Sequence, residues 1–161
     1  MAFVNKDLFN YIFICFLFLL DRFSKLAILS LSEPSGDVDI AITSFLNFNL
    51  IWNNGIAFGL MSFDENAYYN FLTLIIIFIT LIVFFFMIKS KNFEKIGFSL
   101  IIGGSLGNIF DRLYYSSVVD FIDFHINNFH WFIFNVADIF ITIGVILLIA
   151  FEIFKKDEKK Y

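Results

Sequence analysis

Four long apolar stretches dominate the chain, at about Leu8 to Leu31, Tyr68 to Ile88, Ile96 to Tyr115 and Trp131 to Phe154. Each is long enough to cross ~30 Å of hydrocarbon as a helix. Backbone groups in lipid need internal partners, and a helix supplies them within one segment, whereas a barrel requires many shorter alternating strands. The pattern therefore predicts an all-α polytopic membrane protein with four transmembrane helices, forming a single membrane-embedded domain over residues 1–161.

The segments between the spans, 32–67 and 116–130, differ from each other. In the first, Leu46, Phe48, Leu50 and Trp52 alternate with Asn47, Asn49, Ile51 and Asn53, and Val38, Ile40 and Ile42 repeat the pattern. A period of two is that of a strand with one apolar face. A small extracytoplasmic β-rich segment is thus expected between helices 1 and 2, delimited by Pro34 and Gly36 on one side and Gly55 and Gly59 on the other. Ser62 followed by Glu65 has capping-box spacing and predicts a helix start there. The second segment reads as a short connection.

Charge supplies an orientation. Of the eleven Lys and Arg residues, Lys6 precedes the first span, Lys89, Lys91 and Lys95 separate spans two and three, and Lys155, Lys156, Lys159 and Lys160 follow the last. Segments 32–67 and 116–130 contain none, so the positive-inside rule puts both termini in the cytoplasm and these two segments outside. The composition is 60% hydrophobic and 16% charged, which separates the chain from soluble globules. A net charge of −4 without a basic patch excludes nucleic acid as a partner. Cys15 lies in an apolar run and reads as a small buried side chain. The apolar run continues past it without a small-residue cleavage site, so a removable leader is not expected.

Candidate chemistry comes from charges placed where lipid is expected, each costing roughly 2.5 to 3.5 kcal/mol on insertion unless paired. Asp21 and Lys25 are four apart, an acid-first helical pair. Arg22 points elsewhere on the wheel, to headgroups or to another acid. Gly104, Asn108, Asp111 and Arg112 form a stripe on span three, where Gly103, Gly104 and Gly107 allow close helix approach. That stripe reads as support for chemistry. Asp120, just after span three, and Asp138, seven residues into span four, have no Lys or Arg near them in sequence. If the connection folds back they meet at the outer membrane edge, and two such carboxylates share a proton. Asp123 reads as solvated. His125 and His130 lack a closed ligand set, so no metal is expected.

These residues resemble the lipoprotein signal peptidase family, also called signal peptidase II. Four blocks carry the resemblance: Asp21 with Lys25, NNGIAF at 53–58, GGSLGNIFDR through VVDF at 103–121, and FNVAD at 134–138. It implies that Asp120 and Asp138 are catalytic, and that Asp21, Lys25, Asn53, Gly55, Asn108, Asp111, Arg112 and Asn135 order the site or position substrate. Ser116 stands where the family commonly has Gly, Phe132 where Pro is common, and Ile139 where Ser often follows the acid.

By the same resemblance the chain is expected to be an aspartic endopeptidase of the bacterial inner membrane. It would remove signal peptides from diacylglyceryl-modified prolipoproteins, cutting just before the modified cysteine. No cofactor is expected. Membrane lipid and prolipoproteins are the expected partners, and the expected state is monomeric. Two rivals use the same residues: a proton carrier, which favours acids spread through the bilayer depth, and a structural subunit, which needs no unpaired acids.

Overall fold

The structure is a computed structural model that describes residues 3–32, 36–55, 66–91, 93–127 and 129–158. Among the described residues there are four helices: α1 (Phe3–Ser30), α2 (Asn66–Lys89), α3 (Phe93–Tyr115) and α4 (Val136–Glu158). Four strands accompany them: β1 (Asp39–Ala41) and β2 (Leu46–Asn53) between α1 and α2, β3 (Val118–Ile126) and β4 (Phe129–Phe134) between α3 and α4. Helix α3 lies at the centre and packs on α1, α2 and α4.

Glycine makes that central position possible. A side chain at Gly104 would be driven into the Ala137 carbonyl of α4, and one at Gly103 would meet Leu17 Cβ of α1 at 2.7 Å. The helices therefore approach backbone to backbone, as small residues permit in lipid-facing bundles.

The helices are apolar outside and partly polar inside. On α1, Phe9, Ile12, Phe16, Phe23 and Leu26 are exposed, while Asn10, Asp21, Arg22 and Lys25 are buried. Cys15 belongs to the exposed face, which corrects its expected burial. On α2, Thr73 and Thr80 return their hydroxyls to the carbonyls of Tyr69 and Ile76, so neither leaves a polar group toward the outside. By length and composition, Tyr69–Lys89 and Val136–Lys155 are apolar enough to cross a membrane. Helices α1 and α3 carry more charge, and they bury Asp21, Arg22, Lys25, Asp111 and Arg112.

The strands form one antiparallel sheet in the order β1-β2-β3-β4. Asn53 pairs with Val118, Leu46 with Phe124, and Ile122 with Phe134. Of the apolar positions read from alternation, Leu46, Phe48 and Leu50 pack against a core of Ile28, Val38, Phe121 and Ile122, whereas Ile40, Ile42 and Trp52 are exposed.

Half of this sheet departs from the expected layout. The segment 116–130 is not a simple connection, because most of it is strand β3. The fourth helix begins at Val136, not near Trp131, since Trp131 to Phe134 belong to β4. Asp138 accordingly sits in the first turn of α4, not seven residues along it. Asp123 is 2% exposed, so it is no solvated acid. Pro34, Gly59 and the Ser62 to Glu65 capping box lie outside the described residues.

Candidate active site

The base of the site is a buried cluster of four charges where α1 meets α3. Lys25 Nζ lies 3.0 Å from Asp21 Oδ2 and 2.7 Å from Asp111 Oδ2, and Arg22 Nη1 lies 2.6 Å from Asp111 Oδ1. Asp21, Lys25 and Asp111 have no exposed surface. Two acids against two cations leave no net charge in the cluster, the condition under which ions persist in a low-dielectric interior. Gly107 allows this, since a side chain there would collide with the Asp21 carboxylate.

Each acid also holds a neighbouring element. Asp21 Oδ1 accepts from the Ala137 N–H at 3.0 Å, placing a carboxylate at the N-terminus of α4, where unpaired amides and the helix dipole favour an anion. Asp111 Oδ2 accepts from the Val119 N–H at 3.2 Å and so fixes the start of β3. Arg112 donates to the Gly55 carbonyl at 2.9 Å and ties α3 to the chain after β2.

Lys25 links the cluster to the next layer. Its ammonium donates to Asn108 Oδ1 at 2.9 Å. An ammonium can only donate, so this bond fixes which end of the Asn108 amide is oxygen. Its Nδ2 then faces Asp138 Oδ1 at 2.8 Å. Asn135 is oriented by a different device, a reciprocal cap. Asn135 Oδ1 accepts from the Asp138 N–H at 3.0 Å, and Asp138 Oδ2 accepts from the Asn135 N–H at 3.2 Å. Asn135 Nδ2 is left to donate to Asp120 Oδ1 and to Asn108 Oδ1.

The two remaining carboxylates meet on Asn135. Asp120 projects from β3 and is 3% exposed, with its Oδ2 accepting from Asn53 Nδ2 at 2.8 Å. Asn53 is itself held, because its Oδ1 accepts from the Gly55 N–H at 2.9 Å. All four oxygens of Asp120 and Asp138 thus accept from N–H groups of neutral amides. No ion pair reaches either acid among the described residues. Burial pushes the Asp120 carboxyl up to about 7, and the Asp138 charge adds to it, against the opposing amide bonds from Asn53 and Asn135. Asp138 also lines an apolar pocket of about 210 Å³ with Phe132, Phe134, Ile139, Thr142 and Ile143.

The structure therefore brings Asp21, Lys25, Asn53, Gly55, Asn108, Asp111, Arg112, Asp120, Asn135 and Asp138 into one connected set. Two further residues join it: Arg22, for which the sequence offered headgroups or another acid, meets the acid, and Tyr69 was not singled out. Arg22 contacts Asp111 and lies over the Phe110 ring at 4.7 Å, and the need of each acid within an apolar run for a cation was the available signal. Tyr69 is 6% exposed beneath Arg112, whose guanidinium carbon lies 5.9 Å from its ring centroid. A lone tyrosine at the start of an apolar run carries no such signal.

The chain is similar to known proteins over most of its length. A family model described as signal peptidase (SPase) II matches residues 13–154. A lipoprotein signal peptidase of Pelagibacter ubique is 51% identical over 93% of this chain and 90% of its own length. That of Anaplasma phagocytophilum is 38% identical over 96% and 98%. A solved structure described as a bacterial membrane enzyme superposes with a TM-score of 0.77 at 31% identity, covering 94% of this chain and 91% of that one. The chain belongs to the signal peptidase II family.

Proposed function

We propose that the chain is an intramembrane aspartic endopeptidase that removes the signal peptide from diacylglyceryl-modified prolipoproteins, cutting just before the modified cysteine. The observation that carries this reading is the Asp120–Asp138 pair, one buried and one half-buried carboxylate with amide donors and no cation among the described residues, beside an apolar pocket. Such a pair retains one proton between its members at neutral pH. The ionised member takes a proton from water, which attacks the scissile carbonyl, while the protonated member donates to that carbonyl oxygen. Collapse of the tetrahedral intermediate returns a proton to the leaving amine. Asn108 and Asn135 hold the carboxylates in place throughout, and the pocket beside Asp138 takes an apolar part of the substrate next to the scissile bond.

All four helices cross the inner membrane in this reading, with both termini in the cytoplasm, the sheet on the outer face and the protein acting as a monomer. The support is the absence of Lys and Arg from 32–67 and 116–130, together with the apolar exterior of α1. A proton carrier would space its acids through the bilayer depth. Here Asp21, Asp111, Asp120 and Asp138 converge on one network through Lys25, Asn108 and Asn135.

The test is a processing assay in membranes with a lipid-modified prolipoprotein, run on Asp120→Asn and Asp138→Asn separately. Both variants are expected to accumulate the precursor, and wild-type activity is expected to survive EDTA. Wild-type cleavage by either isostere would remove the dyad.

A further inference from the structure

The β3–β4 hairpin holds a second cluster, which the peptide chemistry does not use. Asp123, His125 and His130 place one ligand atom each within 4.8 Å of one another. His125 and His130 are cross-strand partners, with ring centroids 5.0 Å apart and planes 24° from parallel. Asp123 lies two residues before His125, and its Oδ2 is 2.8 Å from His130 Nδ1.

Two features of the cluster are costly without a further partner. Asp123 is 2% exposed and meets no Lys or Arg among the described residues. His125 Nδ1 is buried with no hydrogen-bond partner among the described residues. Both lie beside His130, whose side chain is 54% exposed and opens the cluster to solvent.

We propose that Asp123, His125 and His130 form a binding site for a divalent ion of the zinc type. Two imidazoles and one carboxylate favour Zn²⁺ and its late first-row neighbours over Mg²⁺ or Ca²⁺, which prefer all-oxygen sets. Ligand atoms around tetrahedral zinc with ~2.0 Å bonds sit roughly 3.3 Å apart. The cluster reaches that spacing by side-chain rotation, chiefly of the exposed His130. The ion takes the place of the proton between His130 and Asp123 and occupies the unpartnered lone pair of His125. Its fourth position faces solvent.

The ion acts as a clip. The β3–β4 register shifts between Asp123 and His125, so the ladder is interrupted where the ligands gather. Strand β3 carries Asp120 and β4 leads directly into Asn135, so a bound ion steadies the hairpin that presents both.

The test uses the tag-free full chain in detergent, stripped with chelator and titrated with Zn²⁺ alone against a fluorescent indicator. One equivalent is expected to bind, with millimolar Mg²⁺ failing to compete and the thermal midpoint rising. His125→Ala and His130→Ala are each expected to weaken binding at least tenfold. Both variants should keep processing activity in EDTA, which reports that they are folded. Co²⁺ is expected to give the intense visible absorption of a four-coordinate site in wild type, lost in the double variant. Absence of stoichiometric Zn²⁺ binding, or wild-type affinity in the double histidine variant, overturns the proposal.

Discussion

Two pairs of acids sit in one bundle, Asp138 half-buried and the other three buried, and the pairs differ in what faces them. Asp21 and Asp111 meet Lys25 and Arg22 directly. Among the described residues Asp120 and Asp138 meet only asparagine side chains and a backbone amide. The first pair is neutralised by fixed cations and holds helices and strands in place. On the function proposed above, the second has a movable proton as its available neutraliser, which is what acid–base chemistry requires. In that reading the same residue type is structural or reactive according to whether a cation or an amide completes its shell.

The largest effect that tests this contrast is loss of reaction. Asp120→Asn and Asp138→Asn are each expected to lower prolipoprotein processing roughly 10³-fold while the protein still accumulates in membranes. Next comes loss of fold. Lys25→Met leaves Asp21 and Asp111 facing Arg22 alone, and about 3 to 5 kcal/mol of stability should disappear, read as a fall in folded yield and thermal midpoint in detergent. If Lys25→Met kept wild-type stability but lost activity, the division between the two pairs would be wrong. Gly107→Ala pushes a methyl into the Asp21 carboxylate and should cost about 2 kcal/mol by the same measurement.

A subtler distinction is the dependence on pH. Folded Asp120 holds its proton up to about 7, against 3.8 as the ordinary value. Between those values the folded state binds more protons than the unfolded one, so this group makes stability fall as pH rises from about 4 to 7. The thermal midpoint of wild type should drop over that interval more steeply than that of Asp120→Asn. The smallest effect concerns Ser116, which adopts a φ of 57° in the left-handed region. Ser116→Gly relieves that strain and should raise stability by about 1 kcal/mol, detectable by denaturant titration.

Much of this arrangement is legible in the chain because charges within apolar runs are few and each needs a partner. The first three helices enclose the apolar runs read for them, and the β2 alternation separates core-facing Leu46, Phe48 and Leu50 from the asparagines. Strands β3 and β4 were hidden for different reasons. In β3 the positions Val118 to Asp123 are buried on both faces, so no apolar-polar alternation marks them. In β4 the run Trp131 to Phe134 merges with the helix that follows, and hydropathy does not distinguish a strand from the start of a span. The cap formed by Asn135 and Asp138 marks the true boundary. Ser116 carries a local signal too, since Gly common at that position in the family matches the positive φ found there.

The buried face of α1 has a consequence for biogenesis. Lys25 and its partner Asn108 are 83 residues apart, so at roughly 5 to 20 residues per second the ribosome needs about 4 to 17 s to supply that partner. If α1 crosses the membrane as proposed above, it resides in the bilayer or its insertion machinery during this interval without Asp111 or Asn108. Asp21, one turn before Lys25, is already present and can neutralise it locally. Arg22 lies 3.8 Å from the same acid and gains Asp111 only when α3 arrives, so until then one carboxylate serves two cations.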